Sequence, residues 1–104
     1  MVFAEMLAFL KSTQDIFNDE DIRILQNFLL ENPESGVVIA GTGGVRKLRW
    51  AAKNKGKSGG ARVVYFYVRS DQWIYLLYAY SKNVKTDLTS SEKKAFLALT
   101  KELS

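Results

Sequence analysis

Two runs, Arg62-Val-Val-Tyr-Phe-Tyr-Val-Arg69 and Trp73-Ile-Tyr-Leu-Leu-Tyr-Ala-Tyr-Ser81, joined by Ser70-Asp71-Gln72, decide the fold. The first is rich in β-branched and aromatic residues, with apolar side chains at both parities, as in a central strand, and the second is another strong strand. The polar trio between them reads as a hairpin turn, giving strands over Arg62 to Ser70 and Trp73 to Ser81. In an antiparallel hairpin the first strand starts beside the end of the second. Arg62 and Lys82 are therefore expected as near neighbours.

Upstream, Val45 to Ala52 alternates, Leu48 and Trp50 pointing one way and Lys47 and Arg49 the other, the pattern of a half-buried strand. Gly41-Thr42-Gly43-Gly44 lacks the third glycine of a dinucleotide fingerprint, since Arg46 stands there. Gly56-Lys57-Ser58 resembles the end of a P-loop, but Ala51 replaces its first glycine and a strand follows where a helix is required. Both nucleotide motifs are rejected, and the glycines are read as turn formers.

The first third predicts a short strand within Met1 to Met6 and an antiparallel helix pair. Leu7, Phe9, Leu10 and Ile16 recur at roughly helical spacing. Asn18 caps a second helix whose stripe is Ile22, Leu25 and Leu29, widened by Ile24 and Phe28, and which Pro33 ends. Val37-Val38-Ile39 is a short apolar segment. Thr89 and Glu92 form a capping box opening a helix over 90–103 that buries Phe96, Leu99 and Leu103. The expected architecture is one α+β domain over 1–104: a twisted antiparallel sheet, two N-terminal helices packed on it, and a C-terminal helix.

Charge divides the chain. Residues 1–44 hold two bases and seven acids, a net −5, whereas residues 45–104 hold 13 bases and four acids, a net +9. Lys53, Lys55 and Lys57 alternate along one glycine-containing loop, and Arg62 follows. Such a cluster repels itself unless an anion binds, so a polyanion is the expected partner. The alternative is a solvated surface loop. There is no cysteine or histidine, so disulfides, thiolate metal sites and imidazole chemistry are excluded, and neither a metal nor a cofactor is implied. The longest apolar run, Trp73 to Tyr80, is too short to span a bilayer. With no signal peptide evident, a cytoplasmic location away from the membrane is expected.

The order Lys-x-Lys-x-Lys-Ser-x-Gly-x-Arg, then Val-Val-Tyr, then an apolar strand ending at Lys82, resembles the RelE/ParE superfamily of bacterial toxins. The stretches Gly41-Thr-Gly-Gly-Val-Arg-Lys-Leu-Arg, Gly56-Lys-Ser-Gly-Gly-Ala-Arg, Tyr80-Ser-Lys-Asn and Asp87-Leu-Thr are similar to its HigB-like branch. The resemblance covers nearly the whole chain. It implies a RelE-like fold and a ribosome-dependent endoribonuclease that inhibits translation by cutting mRNA in the A site. It also implies a cognate antitoxin, expected to carry a helix-turn-helix domain, with the ribosome and mRNA as further partners. Carried over by position, Lys53, Lys55, Lys57 and Arg62 match the basic residues around the scissile phosphate. Asn83 and Thr89 stand where RelE has a functional arginine and tyrosine, so the acid and base are left unassigned.

Metal-independent RNA cleavage needs a proton acceptor for the 2′-hydroxyl, cations for the extra charge of the transition state, and a proton donor for the leaving oxygen. Arg62, Lys57 and Lys82 are the catalytic candidates. Arg46, Lys47, Arg49, Lys53, Lys55 and Lys85 are expected to contact RNA, with Tyr65 and Tyr80 stacking on bases. For each tyrosine, core packing is the competing reading, and Arg62 paired with Asp87 is the structural alternative for the arginine. A ParE-like gyrase poison and a binding module without chemistry remain the other functional readings.

Overall fold

The structure is a computed structural model that describes residues 2–51 and 60–104. Its strands are β1 (Val2–Glu5), β2 (Val37–Val38), β3 (Arg46–Ala51), β4 (Gly60–Val68) and β5 (Trp73–Ser81). Its helices are α1 (Leu7–Thr13), α2 (Asp19–Glu31) and α3 (Ser90–Leu103). The strands form a single sheet in the order β1-β5-β4-β3-β2, so the family of elements is the α+β set read from the sequence.

One part of that reading changes. The pairs β2–β3, β3–β4 and β4–β5 are antiparallel, but β1 runs parallel to β5, making the sheet mixed. The chain leaves β1 through α1 and α2 and enters the sheet again at its opposite edge. The N-terminal strand therefore meets β5 from the side that no hairpin constrains. Pairing direction for a four-residue edge strand is set by such long-range topology.

Each face of the sheet has its own helices. On one, Ala61, Val63, Tyr65, Ile74, Leu76 and Ala79 pack with Phe9 of α1, Phe17, and Leu25 and Leu29 of α2. On the other, Val45, Val64, Phe66, Val68, Leu77 and Tyr80 meet Leu88 and the α3 residues Phe96, Leu99 and Leu103. That double cover explains why β4 and β5 carry apolar residues at both parities. Two apolar positions behave otherwise than expected: Leu7 and Leu10 of α1 are exposed, and Phe9 and Thr13 are its buried residues. Likewise Ile24 sits at the exposed margin of α2.

Helix ends follow the sequence signals. Asn18 Oδ1 accepts from the Asp21 amide at 2.8 Å, while Asp21 returns the bond to the Asn18 amide at 3.0 Å. Thr89 and Glu92 make the same reciprocal pair at the start of α3. Only Thr100 is fully buried in α3, with Phe96, Leu99 and Leu103 partly covered. Its hydroxyl donates to the Thr42 carbonyl at 3.0 Å, fastening α3 to the 41–44 turn. Thr42 in turn is buried, donating to the Ile39 carbonyl and accepting from the Val45 amide.

Gly41 and Gly43 in this turn have φ of 79° and 77°, in the left-handed region where a Cβ is penalised. They differ in surroundings. A Cβ on Gly41 meets nothing within 4 Å, whereas one on Gly43 collides with Thr100 Oγ1 and lies 3.2 Å from Leu97 Cδ1. Gly41→Ala is expected to cost about 1–2 kcal/mol, the backbone penalty alone. Gly43→Ala should cost clearly more, because α3 must also shift. In a domain of this size each 1 kcal/mol lowers the melting temperature by roughly 4–8 °C. Thermal unfolding of the two variants side by side checks the difference, and equal melting temperatures would contradict the docking role of Thr100.

Candidate nucleic-acid interface

Strand alternation sorts the basic residues by face. Leu48 and Trp50 of β3, and Ala61, Val63 and Tyr65 of β4, belong to the α1–α2 side. Lys47, Arg49 and Arg62 therefore fall on the α3 side. On β5 simple alternation would send Tyr78 and Tyr80 to the other face. The ladder shifts register between Val64–Tyr78 and Tyr65–Leu76, leaving Leu77 as a bulged residue. Leu77 and Tyr78 thus both belong to the α3 side, and Tyr80 follows.

Two cross-strand rows result. Tyr78, Val64 and Lys47 form one, and Tyr80, Arg62 and Arg49 the next, one pleat closer to the Ala51–Gly60 end of the β3–β4 ladder. The apolar residues of α3 pack over the core below these rows, and Arg49 is left exposed with Arg62 half-buried. A depression of about 330 Å³ beside them is lined by Ser35, Val37, Lys47, Leu48, Arg49 and Arg62.

The partners of each cation separate the candidates. Arg62 has no carboxylate within 4 Å among the described residues, and its Nη1 makes only a 3.5 Å contact with the Ala61 carbonyl. The alternative pairing of Arg62 with Asp87 is not formed, because Asp87 takes Lys47 instead, at 3.3 Å. The side chain of Arg49 likewise has no ion pair among the described residues. Lys82 is exposed, and its amide donates to the Gly60 carbonyl at 3.1 Å, which extends the β4–β5 ladder by one bond. The neighbourhood of Lys82 and the start of β4, expected from hairpin geometry, is thus present.

Other candidates are occupied elsewhere. Arg46 lies on the α1–α2 side and donates to the carbonyls of Glu34 at 3.0 Å and Gly36 at 2.8 Å, bracing the connection into β2. Tyr65 is fully buried; its hydroxyl donates to the Pro33 carbonyl and accepts from the Gly36 amide, both at 2.9 Å. It is a core strut on the face opposite Arg62, so stacking on a base is closed to it. Lys85 grips both oxygens of Glu92, at 2.6 and 2.7 Å, with its ammonium 5.5 and 5.7 Å from the ring centres of Tyr78 and Tyr80. Lys53, Lys55 and Lys57 lie outside the described residues.

Tyr80 is 3% exposed and belongs to the core, which removes it as a stacking platform. Its hydroxyl is buried and has no hydrogen-bond partner among the described residues. Burial above all, then the Asp87 carboxylate, pushes its pKa up, with Arg62 opposing. It stays protonated at neutral pH. Two acids, Asp87 and Glu92, shape this region. The Leu88 amide, and then Lys47, hold the Asp87 carboxyl below its usual range. For Glu92 burial works the other way, but Lys85 and the Thr89 amide outweigh it and the carboxyl is again lowered. Glu92 was legible as a capping residue, but its bond to Lys85 and that of Asp87 to Lys47 depend on how 82–89 crosses the sheet, which spacing does not encode.

Two guanidiniums on adjacent strands, free of carboxylates and opening onto a depression, can hold a phosphodiester through paired N–H groups. No described helix is long and apolar enough to cross a membrane. Residues 29–104 match the family model described as RelE toxin of the RelE / RelB toxin-antitoxin system, a span that runs from late α2 through α3 and contains every cation discussed. That match takes in 76 of the 104 residues. With the strands and helices described above, it makes the chain a member of the RelE toxin family, the toxin of a toxin–antitoxin pair whose other half is a cognate antitoxin.

Proposed function

We propose that residues 1–104 act as one toxin domain that enters the ribosomal A site and cuts mRNA without a metal, in the manner of the HigB-like branch. The observation that carries this reading is the Arg49–Arg62 cross-strand pair, which no carboxylate among the described residues neutralises and which lines a depression of the sheet. Like charges directly opposite on neighbouring strands are destabilising. An anion between them reverses the sign of that cost, and the RelE family generally consists of mRNA endoribonucleases.

In the proposed reaction the mRNA 2′-oxygen attacks the adjacent phosphorus and the 5′-oxygen leaves. Arg62 holds the phosphate through its planar fork and stabilises the charge that grows on it. Lys82 and Lys57 supply ammonium groups for the leaving oxygen. Lys53, Lys55, Arg49 and Lys47 contact the flanking backbone. The partner that silences the site is an antitoxin with a helix-turn-helix domain, and the toxin works in the cytoplasm where ribosomes are.

Removing a group that stabilises transition-state charge costs about 10²–10³ in rate. Arg62→Ala is therefore expected to lose at least that much single-turnover cleavage on programmed ribosomes while its melting temperature stays put, since no folded partner is lost. Arg62→Lys should not restore the rate, because a point charge cannot reproduce the fork. An Arg62→Ala protein that still cuts at near wild-type rate would remove Arg62 from the site. Mapping mRNA 5′ ends in the same reactions tests the wider reading. A-site cuts support the nuclease, supercoiling inhibition without cuts supports a gyrase poison, and ribosome binding without either supports a module lacking chemistry.

Binding to phosphates releases counterions, so affinity for single-stranded RNA should fall steeply with salt. With Lys53, Lys55 and Lys57 all changed to Ala, the log–log slope should shrink by about 0.7 for each contact removed. An unchanged slope would make the loop an ordinary solvated surface.

A further inference from the structure

Cleavage by 2′-oxygen attack needs a proton acceptor, and the chain has no histidine. A free lysine is a poor acceptor at neutral pH, its pKa being about 10.4. Two carboxylates stand on the α3 side of the sheet, Asp87 on Lys47 of β3 and Glu92 on Lys85, and they are engaged very differently. Glu92 spends both oxygens on Lys85 and one of them also on the Thr89 amide. Asp87 takes the Leu88 amide at 2.8 Å and Lys47 Nζ at 3.3 Å on the same oxygen, Oδ1. Its Oδ2 has no hydrogen bond among the described residues, and the side chain is 50% exposed. Asp87 and Arg62 both act on the Tyr80 hydroxyl through their charges, in opposite senses. Lys47, the partner of Asp87, lines the same depression as Arg62.

We propose that Asp87 is the catalytic base: its Oδ2 takes the proton of the mRNA 2′-hydroxyl while the scissile phosphate rests on Arg62. The assignment rests on the nuclease reading above. The balance is complete within the site. The 2′-oxygen forms its bond to phosphorus as its proton passes to Asp87. The bond from phosphorus to the 5′-oxygen breaks, and that oxygen takes a proton from the Lys82 ammonium. The products are a 2′,3′-cyclic phosphate and a 5′-hydroxyl. Transfer of the proton from Asp87 to solvent and back to Lys82 resets both groups.

The surroundings of Asp87 suit an acceptor that is always ionised. Lys47 faces it from β3, Lys93 from α3 and the Leu88 amide from its own connection, all favouring the carboxylate. Tyr80 on β5 feels the Asp87 charge without a hydrogen bond to it among the described residues, and stays a protonated hydroxyl. Lys85 and Glu92 neutralise one another nearby. A carboxylate base is weaker than a lysine amine but needs no deprotonation, and base catalysis of this kind contributes about 10²–10⁴ in rate.

Single-turnover cleavage of A-site mRNA on programmed ribosomes, followed from about pH 5.5 to about pH 8, tests this. The wild-type rate should be flat across that window, because Asp87 is ionised throughout it. Asp87→Asn keeps an oxygen for the Leu88 amide and should lose about 10²–10⁴ in rate with little change in melting temperature. Asp87→His is the decisive variant, since no other histidine is present. It should recover part of the lost rate with a new acid limb at or below about pH 6.5, the ordinary histidine value. Several results overturn the assignment: a wild-type rate that climbs tenfold per pH unit, as a lysine base requires; an Asp87→Asn rate within about threefold of wild type; or an Asp87→His protein lacking the new limb. Should Asp87→Asn fail to fold, the Asp87→His profile alone decides. A wild-type protein that makes no cuts sinks the nuclease reading and this role together, a result distinct from cuts that ignore Asp87.

Discussion

Arg49 and Arg62 face one another across β3 and β4, and that repulsion is what the rest of the molecule has to tolerate. A cross-strand pair is worth roughly 0.2–1 kcal/mol in either direction. The strand that bears Arg62 is secured far more strongly than this. Ala61, Val63, Val64 and Tyr65 are fully buried, on two faces, against helices from both ends of the chain. Burying a single aliphatic side chain contributes about 1.5–3 kcal/mol. The repulsion is therefore small beside the packing of the next three residues, and β4 can present an unneutralised guanidinium at its start without losing its place.

The bulge at Leu77 decides what surrounds that guanidinium. Without the extra residue, Ala79 and Ser81 would face the α3 side and Tyr78 and Tyr80 would crowd the α1–α2 core. With it, two rings lie beside Val64 and Arg62, and Lys85 settles over both. Lys85 then holds Glu92 at the start of α3, and Asp87 holds Lys47. The connection 82–89 is pinned at two points, one on the helix and one on β3, by the local geometry of one inserted residue in β5. The open outer edge of β5 beyond Leu76, where β1 has ended, is finished by Ser12, whose hydroxyl accepts from the Ala79 amide at 2.9 Å.

Legibility in the sequence tracked the range of the interaction. The Asn18 cap, the Thr89–Glu92 capping box, the alternation of β3 and the extent of α3 depend on residues within a few positions of one another, and each was readable. Hairpin geometry extends that reach and brought Lys82 to the start of β4 correctly. The parallel pairing of β1 with β5 depends on a connection that passes two helices and three strands, and nothing in Val2–Glu5 specifies it. The choice between core packing and base stacking for Tyr65 and Tyr80 was not readable for a related reason. An aromatic strand with apolar residues at both parities has no amphipathic signature, and a single bulge inverts the alternation from that point on. Basic residues were recognisable as a group, but charge counting treats Arg46, Lys47 and Lys85 as equal to Arg62.

What distinguishes them is how each positive charge is already spent. Arg46 braces two backbone carbonyls, Lys85 is bidentate on Glu92, and Lys47 shares Asp87. Exchanging such a partner for a phosphate gains little, since one anion replaces another and the displaced carboxylate must be solvated again. Arg49 and Arg62 surrender no carboxylate when an anion arrives, and their mutual repulsion is relieved at the same moment. Of the described cations on this face, these two gain most from a bound phosphodiester. The Lys47–Asp87 pair stands at the margin of that patch, with one carboxylate oxygen that makes no hydrogen bond among the described residues. The acid thus sits on the same side of the sheet as the two guanidiniums, and its ionised form is favoured by the Leu88 amide and by Lys47.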